Sequence, residues 1–452
     1  MVILGDGRMN YQQAIHYLES LQRFGIKLGL ERFAELCRGV GYPQDRLRVV
    51  HVGGTNGKGS TCTFISAILR ASGYRVGTYL SPYVFDIRER IQINGRQISK
   101  RNFAELMTEI VPHLEAVAAT EHGQPTEFEA KTLMALLHFA RKQVDFAVLE
   151  VGMGGRFDAT NLVTPLVSVI TNVSLDHTDR LGTTIPEIAF EKAGIIKPGR
   201  PVVTAVDNED AWKVISHVAR ERNAPLYKIR ARDTAGNIRS DYVGDYSSIS
   251  LPEGGMGVTV RSPFRTRENL RLGLRGRFQH ANASAAVLAV DVLREQGIAI
   301  PEPAIRRGLR QAHLPGRLEI LRGNPLVVID GAHNPAAAAQ LADTLTEEFK
   351  YRKLLLVIGM LRTHSAEGVV SHLAPLADVV IATAPKWTLA AQAEDIAAVA
   401  RRYCPNVVAI EPVDQAVRQA LSTAERHDLV CITGSFYTIG EVDKQFVKEI
   451  VY

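Results

Sequence analysis

Val52-Gly53-Gly54-Thr55-Asn56-Gly57-Lys58-Gly59-Ser60-Thr61 joins an apolar run at 47–52, which reads as a buried strand, to a helical pattern at 61–71. Glycines let such a turn bend tightly and aim its backbone N–H groups inward. The helix N-terminus adds partial positive charge and Lys58 adds a full one, so the segment reads as a phosphate cradle. The strict pattern G-x-x-x-x-G-K-[ST] is broken twice: Val52 stands where its first glycine belongs, and Gly59 where its hydroxyl belongs. The hydroxyls follow one step later, at Ser60 and Thr61. An ordinary glycine-rich turn is the bland alternative, and the agreement of strand, loop, lysine and helix argues against it.

Outward from this turn, β-rich runs alternate with amphipathic helical stretches. Strands are expected at 75–80, 146–151, 167–171 and 201–205, and helices at 102–118, 129–142 and 210–222. The alternation predicts an α/β fold with a P-loop-type, mostly parallel sheet covered by helices. Residues 241–275 are Gly- and Arg-rich with little helical period, which predicts a small antiparallel patch before a helix at 279–296. Gly297-Ile298-Ala299-Ile300-Pro301 reads as a linker, dividing the chain into domains 1–297 and 298–452. The second repeats the rhythm, with strands at 326–329, 354–358, 379–382, 407–410 and 429–433, and predicts a Rossmann-like α/β domain.

A chain of 452 residues with 46% apolar and 22% charged content can bury full cores without staples. Cys37, Cys62, Cys404 and Cys431 are scattered without a C-x-x-C pair, which argues against a disulfide framework or a structural zinc site. No run approaches the length of a membrane span and the N-terminus lacks a signal pattern, so a cytoplasmic protein is expected. The formal charge of +5 suits anionic small substrates; without a long basic run it predicts neither nucleic acid nor membrane partners.

Polar groups gather at the predicted strand ends, where ligands of open α/β sheets bind. Glu150 ends the run Phe146-Ala147-Val148-Leu149-Glu150 and could hold Mg²⁺, which takes few protein oxygens beside phosphate and water. A strand-end glutamate capping a loop is its bland reading. Gly152-Met153-Gly154-Gly155-Arg156-Phe157-Asp158 follows directly, and its glycines suggest close backbone approach to a ligand. Ser174-Leu175-Asp176-His177-Thr178 follows the next strand, and His177 is a second candidate metal ligand. Lys192, in Glu191-Lys192-Ala193-Gly194, reads by chemistry alone as a solvated cation, unless burial depresses its pKa and makes it a modifiable amine. In the second domain, Arg317 could pair with phosphate, and Asp330 could hold a ribose hydroxyl or a substrate amine.

These motifs, in this order and over nearly the whole chain, resemble the folylpolyglutamate synthase/dihydrofolate synthase family of Mur-type ATP-dependent amide ligases. Carrying the resemblance are Gly54-Thr55-Asn56-Gly57-Lys58-Gly59-Ser60, Ser81-Pro82, Thr126-Glu127-Phe128-Glu129, Gly154-Gly155-Arg156-Phe157-Asp158-Ala159-Thr160-Asn161, Leu175-Asp176-His177-Thr178, Glu191-Lys192-Ala193-Gly194-Ile195, Pro315-Gly316-Arg317-Leu318-Glu319 and Asp330-Gly331-Ala332-His333-Asn334-Pro335. The resemblance implies that Asn56, Gly57, Lys58, Gly59 and Ser60 cradle the ATP phosphates. It gives Asn282, Arg317 and Asp330 to ATP, and Ser81, Glu150 and His177 to Mg²⁺. Lys58, His177 and Lys192 become the catalytic set, with Lys192 carried as a carbamate. Thr126, Phe128 and Asp158 are placed along the pteridine-bearing substrate. Leu28-Gly29-Leu30-Glu31-Arg32, through Leu30 and Arg32, resembles a segment that bifunctional bacterial members use near dihydropteroate. A monovalent cation is a further candidate cofactor. Two departures stand out: Tyr83 follows Ser81-Pro82 where a histidine is common, and Thr363-His364-Ser365 replaces a run of acidic residues and a lysine.

The expected activity is carboxylate–amine ligation: ATP phosphorylates a folate-type carboxylate, and L-glutamate attacks the acyl phosphate. Dihydropteroate and reduced folates are the expected acceptors, and a monomer suffices. A tail-extending synthase alone, a peptidoglycan-type Mur ligase and a non-catalytic nucleotide-binding module are the alternatives.

Overall fold

In the computed structural model the described residues are 8–25, 29–232, 244–250 and 256–445, and they form two units. Leu28 of the dihydropteroate segment lies outside them, as do 241–243 and 251–255 of the expected antiparallel patch.

The first unit is built on strands β1 (Val49–Gly53), β2 (Val76–Tyr79), β3 (Ile91–Ile93), β4 (Arg96–Gln97), β5 (Phe146–Glu150), β6 (Val167–Ile170), β7 (Val202–Thr204), β8 (Leu226–Ala231), β9 (Gly244–Ser250), β10 (Met256–Arg261) and β11 (Thr266–Arg271). Their order in the sheet is β11-β10-β9-β8-β7-β6-β1-β5-β2-β3-β4. β1 is buried along its whole length and runs parallel to β5 on one side and β6 on the other. Register sets Val52 opposite Glu150 and Gly53 opposite Ile170, so three strands deliver their C-terminal loops to one edge. Both faces are covered, as a parallel sheet requires. Ala147 and Leu149 pack into a cluster with helices Tyr11–Leu21, Glu31–Gly39, Lys100–Ala118 and Glu127–Arg141. Ile170 and Val202 pack with helices Ile185–Ala193 and Glu209–Glu221.

The antiparallel patch is present as β9, β10 and β11, but it continues the main sheet through a parallel pairing of β8 with β9. A buried ion pair anchors its edge: the Arg267 guanidinium donates to both oxygens of Asp291, at 2.8 and 2.7 Å, and to Glu302.

The domain boundary expected at 297/298 falls later, after Ala312. Helix Glu302–Gln311 buries Ala304, Ile305, Gly308 and Leu309, and that stripe needs a partner. It packs on helix Lys58–Ala71: a Cβ at Gly308 would come within 2.5 Å of the Ile68 Cα, so the two backbones touch.

Of the described residues, the second unit comprises 83–86, 274–278 and 313–445. Its sheet takes β12 (Glu319–Gly323), β13 (Leu326–Ile329), β14 (Leu354–Gly359), β15 (Val379–Thr383), β16 (Val407–Ala409) and β17 (Leu429–Thr433) in the order β12-β13-β17-β14-β15-β16. All neighbours are parallel except the antiparallel edge pair β12–β13, which the sequence pattern did not signal. Cys37, Cys62, Cys404 and Cys431 are buried free thiols. Among the described residues no helix is long and apolar enough to cross a membrane.

Candidate active site

The glycine-rich turn leaves β1 with Gly54 at φ +136° and reaches Gly57 at φ +80°, the residue that starts helix Lys58–Ala71. The helix thus begins before the apolar period does. Neither glycine tolerates a side chain: a Cβ on Gly54 would lie 1.9 Å from Thr171 Oγ1, and one on Gly57 would lie 2.1 Å from Asn282 Oδ1. Neighbouring strand ends hold the loop open. Thr55 N donates to the Asn172 carbonyl at 2.9 Å, and Asn56 N to Asn172 Oδ1 at 2.8 Å. Thr171 Oγ1 donates to the Asn56 carbonyl at 2.6 Å. Asn282 is buried against this loop and donates to Gln279 Oε1. Thr171 and Asn172 were not singled out from sequence; their position just after β6 is the signal that could have found them. The first turn of the helix, with Gly59 and Ser60 buried in it, has free backbone donors and a cation beside them, which is the chemistry of an anion site.

Lys58 Nζ donates to the Thr55 carbonyl at 2.9 Å. Lys192 Nζ donates to the Gly54 carbonyl at 3.1 Å, so the second lysine reaches the same loop from 138 residues away. Lys192 is only 3% exposed, and its bland reading as a solvated cation does not survive the structure. Burial, reinforced by the Lys58 charge and opposed by Asp176, pushes its pKa down to about 7. The consequence for stability has a definite sign. Between about pH 7 and about pH 10 the unfolded chain holds the proton that the folded chain has released, so stability rises with pH across that window. Urea unfolding should therefore show wild type gaining on Lys192→Met as pH rises; a pH-independent difference would contradict the assignment.

Glu150, 2% exposed at the end of β5, accepts from the Ser81 backbone N–H at 2.7 Å, which brings two of the three expected metal ligands together. His177 sits at φ +50° before a short helix, with Nε2 4.0 Å from Asp176 Oδ2. Burial, then the charges of Lys58 and Lys192, lower its pKa against the opposing pull of Asp176, which favours the neutral, ligating imidazole. Among the described residues no three acidic, His or Cys side chains gather to hold a metal by themselves. A carboxylate, a hydroxyl and an imidazole suit a divalent ion that keeps water and phosphate oxygens.

The expected folate-binding residues also meet. Thr126 caps helix Glu127–Arg141 in a reciprocal capping box with Glu129. The Arg32 guanidinium reaches the same Glu129, at 3.0 and 2.9 Å from its two oxygens. Leu30 precedes the helix that carries Arg32 and accepts from Ala34 N through its carbonyl. Phe128 packs on Gly152, where a Cβ would come within 2.4 Å of its ring and 3.0 Å of Asp158 Oδ2. Asp158 accepts from Met153 N, Thr160 N and Thr160 Oγ1. Burial raises its pKa, and these donors oppose the rise. These bonds tie the carboxylate to its own loop. Two further buried residues stand beside these: Tyr79, whose ring lies 6.2 Å from that of Phe128, and Lys131, paired with Glu127 at 2.7 Å. Burial and the Arg90 charge push Lys131 down to about 7. Removing Arg32 leaves Glu129 buried with only its Thr126 bonds, so Arg32→Leu should cost about 2 kcal/mol of unfolding free energy. Denaturant titration checks this, and Glu129→Gln in the same chain should recover part of the loss.

In the second unit, Asp330 directly follows β13 and accepts from Leu318 N and Ala332 N, both at 2.9 Å. Burial raises its pKa and the neighbouring Arg317 lowers it, so the two expected ATP residues of this unit lie together. The Arg317 guanidinium sits 4.5 Å above the Phe436 ring. His364, in the loop that departs from the resembled pattern, has its ring centroid 4.9 Å from that of His333. Tyr83, the other departure, belongs to this unit.

Residues 52–290 match the Mur ligase middle domain and residues 316–436 match the Mur ligase glutamate ligase domain. The chain is 38% identical to the dihydrofolate synthase/folylpolyglutamate synthase of Bacillus subtilis, over 96% of this chain and 99% of that one. Among solved structures, Escherichia coli FolC in complex with DHPP and ADP superposes with a TM-score of 0.84 at 32% identity, covering 98% of both chains. The bifunctional folylpolyglutamate synthase/dihydrofolate synthase of Yersinia pestis, complexed with AMPPNP and Mn, gives a TM-score of 0.82 at 32% identity, covering 98% of this chain and 99% of that one.

Proposed function

The chain belongs to the dihydrofolate synthase/folylpolyglutamate synthase family of Mur ligases, and from that premise we propose that it uses ATP to join L-glutamate to tetrahydrofolates and to dihydropteroate. The observation that carries the reading is the meeting of Lys58 and Lys192 on one glycine-rich loop, with Nζ atoms 2.9 and 3.1 Å from successive carbonyls. A carboxylate oxygen of the folate-type substrate attacks the γ-phosphorus of ATP in line, forming an acyl phosphate and releasing ADP. The amine of L-glutamate then attacks the acyl carbon, and the tetrahedral state expels phosphate as the amide forms.

Lys58 and the N–H groups of Gly57, Gly59 and Ser60 offset charge on the transferring phosphoryl group, which is catalysis by positioning and preorganised charge. Asn56 and Asn282 shape the same loop; Arg317 and Asp330 lie together in the second unit, and their assignment to ATP rests on the family resemblance. Mg²⁺, held by Ser81, Glu150 and His177, would supply Lewis acidity at the phosphates. A Yersinia pestis relative is described in complex with AMPPNP and an Mn ion, which supports a divalent cation beside the nucleotide. Lys192, with its depressed pKa, is suited to carry a carbamate that turns a buried cation into a carboxylate. Leu30, Arg32, Thr126, Phe128 and Asp158 form the wall for the pteridine-bearing substrate. Water has to be excluded at this stage, because an acyl phosphate hydrolyses. The enzyme is read as cytoplasmic and active as a monomer.

The decisive experiment is ADP release with ATP, Mg²⁺ and L-glutamate, run separately with dihydropteroate and with tetrahydrofolate. Release with both is expected. Release with tetrahydrofolate alone would reduce the enzyme to a tail-extending synthase. Silence with both, from folded protein that binds ATP, would overturn the assignment.

A further inference from the structure

His51 lies inside β1, fully buried, two positions before the strand ends at Gly53. Its Nε2 is 2.8 Å from Thr160 Oγ1, and that hydroxyl is 2.5 Å from Asp158 Oδ1. The direction of this chain follows from counting protons. Asp158 already accepts backbone N–H bonds from Met153 and Thr160, so it is an acceptor there. Thr160 has one hydroxyl proton, gives it to Asp158, and must accept from His51. The imidazole is then the Nε2–H tautomer, and its buried Nδ1, which has no partner among the described residues, holds a lone pair. The reverse chain would bury an orphan N–H at Nδ1 and require a protonated carboxyl among donors, a costlier arrangement. The charge of Lys197 joins burial in keeping the ring neutral, with a pKa lowered to about 3.

We propose that His51 is a positioning residue for the folate-facing wall, locking the Thr160 hydroxyl onto Asp158 and so fixing the loop that Phe128 packs against. It touches no substrate; it acts through Thr160 and Asp158, and the proposal rests on reading that wall as the pteridine site. The same strand runs into the phosphate loop, so the wall and the loop share one rigid anchor, yet the hydrogen-bond relay serves the wall alone.

The test has two parts. In wild-type enzyme with ¹⁵N-labelled histidine, His51 should show a protonated Nε2, an unprotonated Nδ1 and no titration between about pH 5 and about pH 9. His51→Leu should raise KM for dihydropteroate roughly three- to tenfold with kcat and KM for ATP nearly unchanged, the loss of one buried hydrogen bond read through substrate binding. His51→Gln, which restores a donor near the Nε2 position, should recover most of it. Thr160→Val should reproduce the Leu effect, with little added in the double variant. An Nδ1–H ring, or equal rises in KM for ATP and for dihydropteroate, would overturn the proposal while leaving the enzyme a folate ligase. Wild-type silence toward both folates would instead remove the reading on which the proposal stands. The wild-type spectrum decides the tautomer even if the Leu variant fails to fold.

Discussion

Replacing Lys58 with alanine is expected to lower kcat by roughly 10²- to 10³-fold while the protein stays folded, the scale of losing one preorganised contact to developing charge. The lysine stands at the first position of its helix, behind Gly57, with its Nζ anchored on the Thr55 carbonyl. It contributes a full charge where the helix contributes only partial ones. Apart from that one bond to Thr55, the loop is held by Thr171, Asn172 and the strand register, none of which involves the lysine. The loss should therefore fall on turnover and leave the melting temperature close to wild type. Lys58→Arg should rescue poorly, because a planar fork does not substitute for a compact ammonium in a loop this tight. Single-turnover ADP formation checks the step; a kcat within threefold of wild type would remove Lys58 from the mechanism.

Lys192→Ala should cost a comparable amount, about 10²-fold in kcat, for a different reason. CO₂ reacts with the neutral amine: the nitrogen lone pair forms the N–C bond, one proton leaves, and an anionic carbamate remains. An ordinary lysine is almost wholly protonated at neutral pH, whereas a pKa of about 7 leaves roughly half of Lys192 neutral there. The carbamate nitrogen keeps one N–H, so the bond to the Gly54 carbonyl can persist after modification. Wild-type activity should fall when dissolved CO₂ is stripped and return on adding bicarbonate, and a carbamate ¹³C resonance should appear that the alanine variant lacks. Activity indifferent to CO₂, with no such resonance, would leave Lys192 a neutral amine hydrogen-bonded to the loop.

These two lysines show how far the chain could be read in one dimension. Lys58 was legible because its context is local: a strand, four glycines and a helix start lie within ten positions of it. Lys192 was not legible from chemistry, since a lysine near a helix C-terminus is usually solvated, and only the resemblance suggested otherwise. What removed it from water is the packing of helix Ile185–Ala193 beneath the phosphate loop, which brings together residues 138 positions apart. Arg32 and Glu129 make the same point. Arg32 was placed near the folate-type substrate by motif and Glu129 stands in the Thr126–Glu129 motif, but their ion pair spans 97 positions and belongs to no periodicity.

By itself the sequence determined the two α/β units, the phosphate loop and the order of polar groups at the strand ends, because hydrophobic period, glycine placement and β-propensity act over a few residues. The tertiary structure alone decided the boundary after Ala312, the depressed pKa of Lys192, the saturated carboxylate of Asp158 and the tautomer of His51. Those properties depend on desolvation and on which donor faces which acceptor, and both are settled when distant segments pack, not by the spacing of residues along the chain.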